Sequence, residues 1–316
     1  SLTATSDSLP SLAAHHDAIE LLIKNRGISI TRDGISIGIL FGIRSQLVSL
    51  CLSIPFFDPV NGHNLTWDDV PEQIRFNPVH TLTTASIPVA NLRVLADEIL
   101  YEPKSEINIH RVRDLIDQCK ATDNALTEWR STLPGSWGFM AIENKKLTIQ
   151  KFRNLEFKTC PWLAQGLVYR DIWFANLHNT YFMFRALLQS IILRCVVWMT
   201  SWAGLSLDLN SEFTQAKEEI LKTFQSICGS VAFLLGASPN VRLFPDLQLP
   251  FRCQTSELGP PLLIRPLFVA QSVIVAQGYQ RSWVASILLS IGTSYGIGIA
   301  RLIAKAKGFN GQPLFC

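Results

Sequence analysis

Two stretches decide the fold: KEEILKTFQSICGSVAFLLG, residues 217–236, and PPLLIRPLFVAQSVIVAQGYQRSWVASILLSIGTSYGIGIARLIAKAK, residues 260–307. Apolar residues dominate both, interrupted mostly by Gly, Pro and small hydroxyl side chains. Such segments predict buried helices on which amphipathic helices from the rest of the chain pack. No catalytic motif lies in either stretch.

Working outward, Tyr169–Trp202 reads as one long apolar helix, with Arg185 and Arg194 as its only full charges after Asp171. Buried guanidinium groups are costly unless paired, so both arginines are expected to find carboxylates or backbone carbonyls. Asn210 or Ser211 is placed to cap the next helix, which runs to Gly236. Upstream, Val112, Ile116, Cys119, Leu126 and Trp129 recur at helical spacing between Ser105 and Leu133. A helix over Ser86–Tyr101 takes Pro88 in its first turn. Helices are also expected from Ser8 to Arg26, with Gly27 as C-terminal cap, and from Asp33 to the region before Pro55. Residues 55–80, 134–166 and 237–260 read as irregular, and no strand alternation extends beyond a few residues. The expectation is a single all-α domain over residues 1–316, of about nine or ten helices. The segments from Tyr169, Ser211, Pro261 and Ser282 form its buried centre.

Composition bounds the function. Charged residues are 17% of the 316, the net charge is +3, and mean hydropathy is +0.22. The core is therefore large, or some apolar surface is covered by another part of a longer protein, and the charge is too small to imply nucleic acid by itself. Seven cysteines lie far apart with no Cys-x-x-Cys pair, which suits reduced core thiols of an intracellular protein. The N-terminus lacks an apolar signal-peptide core, and Ser1 in place of Met is expected of a fragment or a processed chain.

Candidate chemistry is sparse. His15, His16 and Asp17 do not make a metal site, because adjacent helix positions point about 100° apart and no second pair stands at ligand spacing. Cys119 and Cys228 have apolar neighbours that favour inert thiols over nucleophiles. Gly34-x-x-x-Gly38 and Gly296-x-Gly298 lack phosphate-loop spacing, so close helix contact explains them better, as it does Gly292-x-x-x-Gly296. Lys145, Lys146, Lys151, Arg153 and Lys158 form a basic cluster that reads as a solvated loop. His178, Tyr181 and Arg185 fall on one face of the long helix, with Trp173 at another angle. Together with Arg265 they are the candidates for a ligand cavity or a structural polar network. No catalytic, cofactor-binding or metal-ligating residue is expected. The uncharged run Ser282–Ala300 keeps an integral membrane protein as the alternative, against its glycines and hydroxyl residues.

Several segments resemble the regulatory region of fungal binuclear zinc-cluster transcription factors. AHHDAIELLIKNRG followed by GILFGIRSQLVSLCLS is similar to its opening helix pair. LTEWRSTLPGSWGF looks like its Trp, Leu-Pro, Trp segment, and YRDIWFANLHNTYFMFRALL its Tyr…Asp-x-Trp…Asn-x-Tyr-Arg-x-x-Arg helix. ICGSVAFLLG is similar to Ile-Cys-x-Ser-Val-Pro-Phe-His-Leu-Gly, while PLLIRPLFVA and SWVASILLSIGTSYGIGIARLIA look like the last two helices. The matches keep their order from about Ala13 to Ala304. Ala232 and Leu234 replace the usual Pro and His, Arg265 replaces Trp, and Phe182 replaces the first Arg while Arg185 keeps the second. The six-cysteine zinc cluster is missing. The resemblance implies a nuclear effector region without its DNA-reading head. It would carry no zinc or other cofactor of its own. Protein partners of the transcription machinery, self-association or a small-molecule effector would then set its state, without catalysis, membrane insertion or specific DNA binding.

Overall fold

A computed structural model describes residues 76–143, 147–148, 162–203, 207–236, 238–239, 255–273 and 275–305. The expected helices before Pro55, the His15–Asp17 triplet, Gly34 and Gly38, and the basic cluster from Lys145 to Lys158 lie outside them. The described residues are all-α in class, with seven α-helices and short strand pairs. The chain divides into two compact units, residues 1–132 and 133–316.

In the first unit, α1 spans Pro78–Tyr101 and α2 spans Glu106–Thr132. The start of α1 lies at Pro78 rather than Ser86. The Asn77 carboxamide accepts from the Val79 N–H at 2.9 Å, and Pro78 takes the first helical position, where it needs no N–H donor. That start signal carries the helix through Pro88. The periodic face of α2 is buried as expected, with Val112, Ile116, Cys119, Leu126 and Trp129 all inside. The Trp129 indole donates to the Pro78 carbonyl at 2.8 Å, which ties the end of α2 to the start of α1 in an antiparallel pair.

The second unit holds the buried helical core. It contains β1 (Phe139–Glu143), β2 (Leu147–Thr148), β3 (Gln165–Tyr169), α3 (Ile172–Ala203), α4 (Leu207–Leu234), β4 (Ser238–Pro239), α5 (Thr255–Ser272), α6 (Gly278–Ser294) and α7 (Gly298–Lys305). Helices α3 and α4 pack on each other and on α5, α5 packs on α6, and α6 on α7. Phe184 and Leu188 of α3, Ile220, Phe224 and Ile227 of α4, Leu263 and Leu267 of α5, and Leu288 and Ile291 of α6 are buried between them.

Several boundaries differ from the sequence reading. Strands β1 and β3 pair antiparallel, Phe139 opposite Tyr169 and Glu143 opposite Gln165, in a region expected to be irregular. Gly166–Tyr169 is buried at every position, so this strand shows a continuous apolar run instead of alternation. That run merges in sequence with the helix after it; Tyr169 belongs to β3, and the Asp171 carboxylate accepts from the Trp173 N–H at 2.7 Å where α3 begins. Helix α4 starts at Leu207, before Asn210 and Ser211, with Asp208 in a first turn whose free N–H groups favour an acid. It ends at Leu234, and Gly236 follows at φ 87°, a left-handed conformation that favours glycine.

Helix α5 starts at Thr255, not Pro261, and includes Pro260, Pro261 and Pro266. Its Gly259 has no room for a side chain, because a Cβ there would stand 1.9 Å from the Leu234 carbonyl oxygen. Finally, α6 begins at Gly278 rather than Ser282, through a reciprocal cap between Gln277 and Gln280. The run Ser282–Ala300 is not one helix. It breaks at Gly296, whose φ is +71° and whose Cβ would meet nothing within 4 Å. Gly296 is thus a turn residue rather than a contact residue. Gly292 is the contact residue: its Cβ would lie 2.3 Å from Arg301 Cγ and 2.8 Å from the Arg301 backbone nitrogen.

Candidate functional site

Helix α3, which carries four of the candidate residues, holds them in three settings. At its start Trp173 is exposed, with 60% of its surface open to solvent. One turn on, His178 is fully buried in an aromatic box. Its ring centre lies 5.2 Å from Phe139, 5.5 Å from Tyr169 and 6.2 Å from Phe182. The Nε2 atom is 2.8 Å from the Trp137 backbone carbonyl, and since a carbonyl only accepts, Nε2–H is the donor. A histidine held so fixes the loop ahead of β1 onto α3, and its Nε2 proton is committed.

Next to it, the Asn179 carboxamide donates to Ser230 Oγ at 2.9 Å, and that hydroxyl donates to the Ile227 carbonyl at 2.8 Å. Asn179 and Ser230 are both fully buried, so this is a polar stitch through the α3–α4 interface. Asn179 Oδ1 is buried with no protein partner.

The third setting is ionic. Arg185 lies 3.2 Å from the Glu219 carboxylate of α4 and donates to the Tyr181 hydroxyl at 3.4 Å. Its guanidinium carbon lies 5.7 Å from the centre of the Tyr181 ring. The other Glu219 oxygen accepts from Lys222 at 2.6 Å. That bond and the charge of Glu219 raise the Lys222 pKa above its ordinary value. The carboxylate expected for Arg185 is therefore Glu219. Arg194 is part-exposed further along α3.

The structure brings Tyr181 and Arg185 into direct contact, and gives His178 different neighbours although all three share a helix. Arg265 sits in α5, and burial presses its guanidinium down to about 10, still protonated at neutral pH. Cys119, Cys195 and Cys228 are buried and in no disulfide, and burial pushes Cys195 up to about 12. A thiol so raised is a poor nucleophile at neutral pH.

Among the described residues no group of three His, Cys, Asp or Glu side chains is arranged to hold a metal ion. One helix among them, Ile172–Ser201, is long and apolar enough to cross a membrane, and 78% of its apolar window is buried inside the protein.

Sequence reasoning missed Glu219, although its place was legible. Ala216, Ile220, Thr223 and Ile227 mark the buried face of α4, and Glu219 stands at its edge within reach of a neighbouring helix. It also missed Trp162, which joins Phe224, Tyr279 and Trp283 in a second aromatic cluster. Trp162, Phe224 and the Tyr279–Trp283 pair lie far apart in sequence, and no spacing signal links them. No family model, curated protein or solved structure matches this chain.

Proposed function

We propose that this chain is the regulatory and interaction region of a transcription factor of the fungal binuclear zinc-cluster type, working in the nucleus through its packing state rather than by catalysis. One observation carries the reading. Three segments that resemble this family, far apart in sequence, supply the polar and aromatic contacts that close the core of the second unit. Trp137 and Phe139 come from the first, Tyr169, His178 and Asn179 from the second, and Ser230 and Phe233 from the third. They meet through the His178–Trp137 and Asn179–Ser230 hydrogen bonds and the Tyr169–Phe233 ring contact at 5.5 Å. Residues that make a family pattern for structural reasons are expected to meet in this way.

In this reading the helical unit biases a DNA-binding head through two states of different partner affinity, set by a protein partner, self-association or a small molecule. The test is to tether the chain to an unrelated DNA-binding head and measure a reporter with the matching operator in a fungal host. Reporter output that differs from the head alone, and that Asn179→Ala alters, supports the reading. Output equal to the head alone, with the untethered chain recovered only in detergent-solubilised membranes, would overturn it in favour of the membrane alternative.

A further inference from the structure

The cluster around Trp162 differs from the rest of the core in how it is held. The indole stacks on Phe224 of α4, centres 5.5 Å apart at 19°. It meets Trp283 edge-on at 5.7 Å and Tyr279 edge-on at 6.4 Å, both from the first half of α6. The receiving rings thus stand on two helices, while the inserted ring stands on the non-helical residues ahead of β3. Its indole N–H is buried with no protein partner. Buried tryptophans usually find an acceptor, because water would otherwise hydrogen-bond the exposed group. Ring contact therefore holds Trp162 in, and its N–H favours release.

The tether suits such release. Beyond Trp162, Ala164 and Gln165 are exposed, whereas Gly166–Tyr169 is wholly buried. Strand β3 is pinned to α4 at Gly229, where a Cβ would stand 3.1 Å from Leu167 Cγ and 3.5 Å from the Gln165 carbonyl oxygen. Leu163 and Ala164 link Trp162 to Gln165, the first ladder residue, so the indole can swing on them without dismantling the β1–β3 ladder. Tyr279 keeps 54% of its surface exposed, so the receiving site has an open side.

We infer that Trp162 is a removable plug in an aromatic site between α4 and α6, and that this site takes a planar aromatic small molecule of about indole size in its place. The walls are ring faces and edges of Phe224, Tyr279 and Trp283, so recognition is by stacking and edge contact. The plug's own N–H finds no acceptor there, so the site does not demand one from a ligand. Benzothiophene, an indole-shaped ring without the donor, binds as well as indole. The inference rests on this geometry and not on the transcriptional reading; a tethered chain inactive on a reporter would leave it standing.

The test has two arms. In Trp162→Gly, added indole raises the melting temperature by about 2–5 °C at ten times its Kd, saturably. Benzothiophene matches indole within about threefold, and Trp162→Gly/Trp283→Ala loses the response. A folded Trp162→Gly protein indifferent to indole overturns the inference. Should that variant not fold, the second arm decides on the unmodified chain labelled with 5-fluorotryptophan. The Trp162 fluorine resonance, assigned by its loss in Trp162→Phe, moves toward the position of a solvent-exposed indole as indole is titrated. A resonance that stays in place up to the solubility limit means that the ring is a fixed core side chain.

Discussion

Removing the carboxylate that pairs with Arg185 is the most direct perturbation of the α3–α4 interface. The Arg185–Glu219 separation is 3.2 Å, and the two side chains keep 15% and 20% of their surface. At that distance, with the effective dielectric near 20 that suits partly buried pairs, the gross attraction is about 5 kcal/mol. Desolvation of both ions offsets much of it, which leaves a coupling of about 1–3 kcal/mol. Glu219→Gln should cost about 2–3 kcal/mol, because it takes the carboxylate away from a largely buried guanidinium and leaves the weaker contact to the Tyr181 hydroxyl and ring in place. Arg185→Met should cost a similar amount by leaving the carboxylate with Lys222 alone. That second pair adds little of its own, since the Lys222 side chain is 65% exposed. The double variant should therefore cost less than the sum of the singles by the coupling energy. Urea unfolding followed by far-UV circular dichroism reads all four corners of the cycle. A coupling within about 0.5 kcal/mol of zero would show that the pair does not hold the helices together in solution, and the reasoning fails.

Three further outcomes follow from other contacts. Gly292→Ala should destabilise by about 1–3 kcal/mol, because its Cβ meets Arg301 side chain and backbone, and Gly296→Ala by about 1–2 kcal/mol through its left-handed φ alone. Gly278→Ala, where a Cβ meets nothing, should be neutral or slightly stabilising; thermal melts that reverse this order would refute the assignment. Burial raises Cys195 from 9.0 to about 12, so the stability of its neutral form is complete below pH 9 and is lost as pH climbs toward 12. Unfolding free energy should fall by up to about 1 kcal/mol more between pH 9 and 10 than in Cys195→Ala. Arg265, lowered to about 10, acts with the opposite sign, and mostly above that window. Last, the purified chain should bind neither stoichiometric zinc nor specific DNA. Its nearest two cysteines, Cys228 and Cys253, stand 25 residues apart in sequence. Metal analysis and anisotropy titration at physiological salt check both.

Helical class was legible because it is a repeated local signal. Val112, Ile116, Cys119, Leu126 and Trp129 mark the buried side of α2 whichever partner covers them, and the α3–α6 segments are apolar enough to demand burial. The need of Arg185 for a carboxylate was equally legible, since it follows from the cost of burying a charge. Boundaries were less so. Pro88 and the prolines of α5 read as starts or stops, yet Asn77 and the Leu234–Gly259 contact set where those helices run.

What the chain's own order of residues determined is therefore the helical class, the buried face of α2 and the core status of Cys119 and Cys228. What only tertiary structure decided is who meets whom. His178 and Arg185 share a helix, yet one is enclosed by rings from β1 and β3 and the other is paired with α4. Gly292 and Gly296 look alike at spacing four, yet one is held by contact with α7 and the other by its backbone angle. Trp162 reads as one aromatic among many until Phe224, Tyr279 and Trp283 converge on it. Periodicity reports which side of an element is dry. It carries no information on which distant side chain supplies the other half of the contact, because that depends on how whole helices cross.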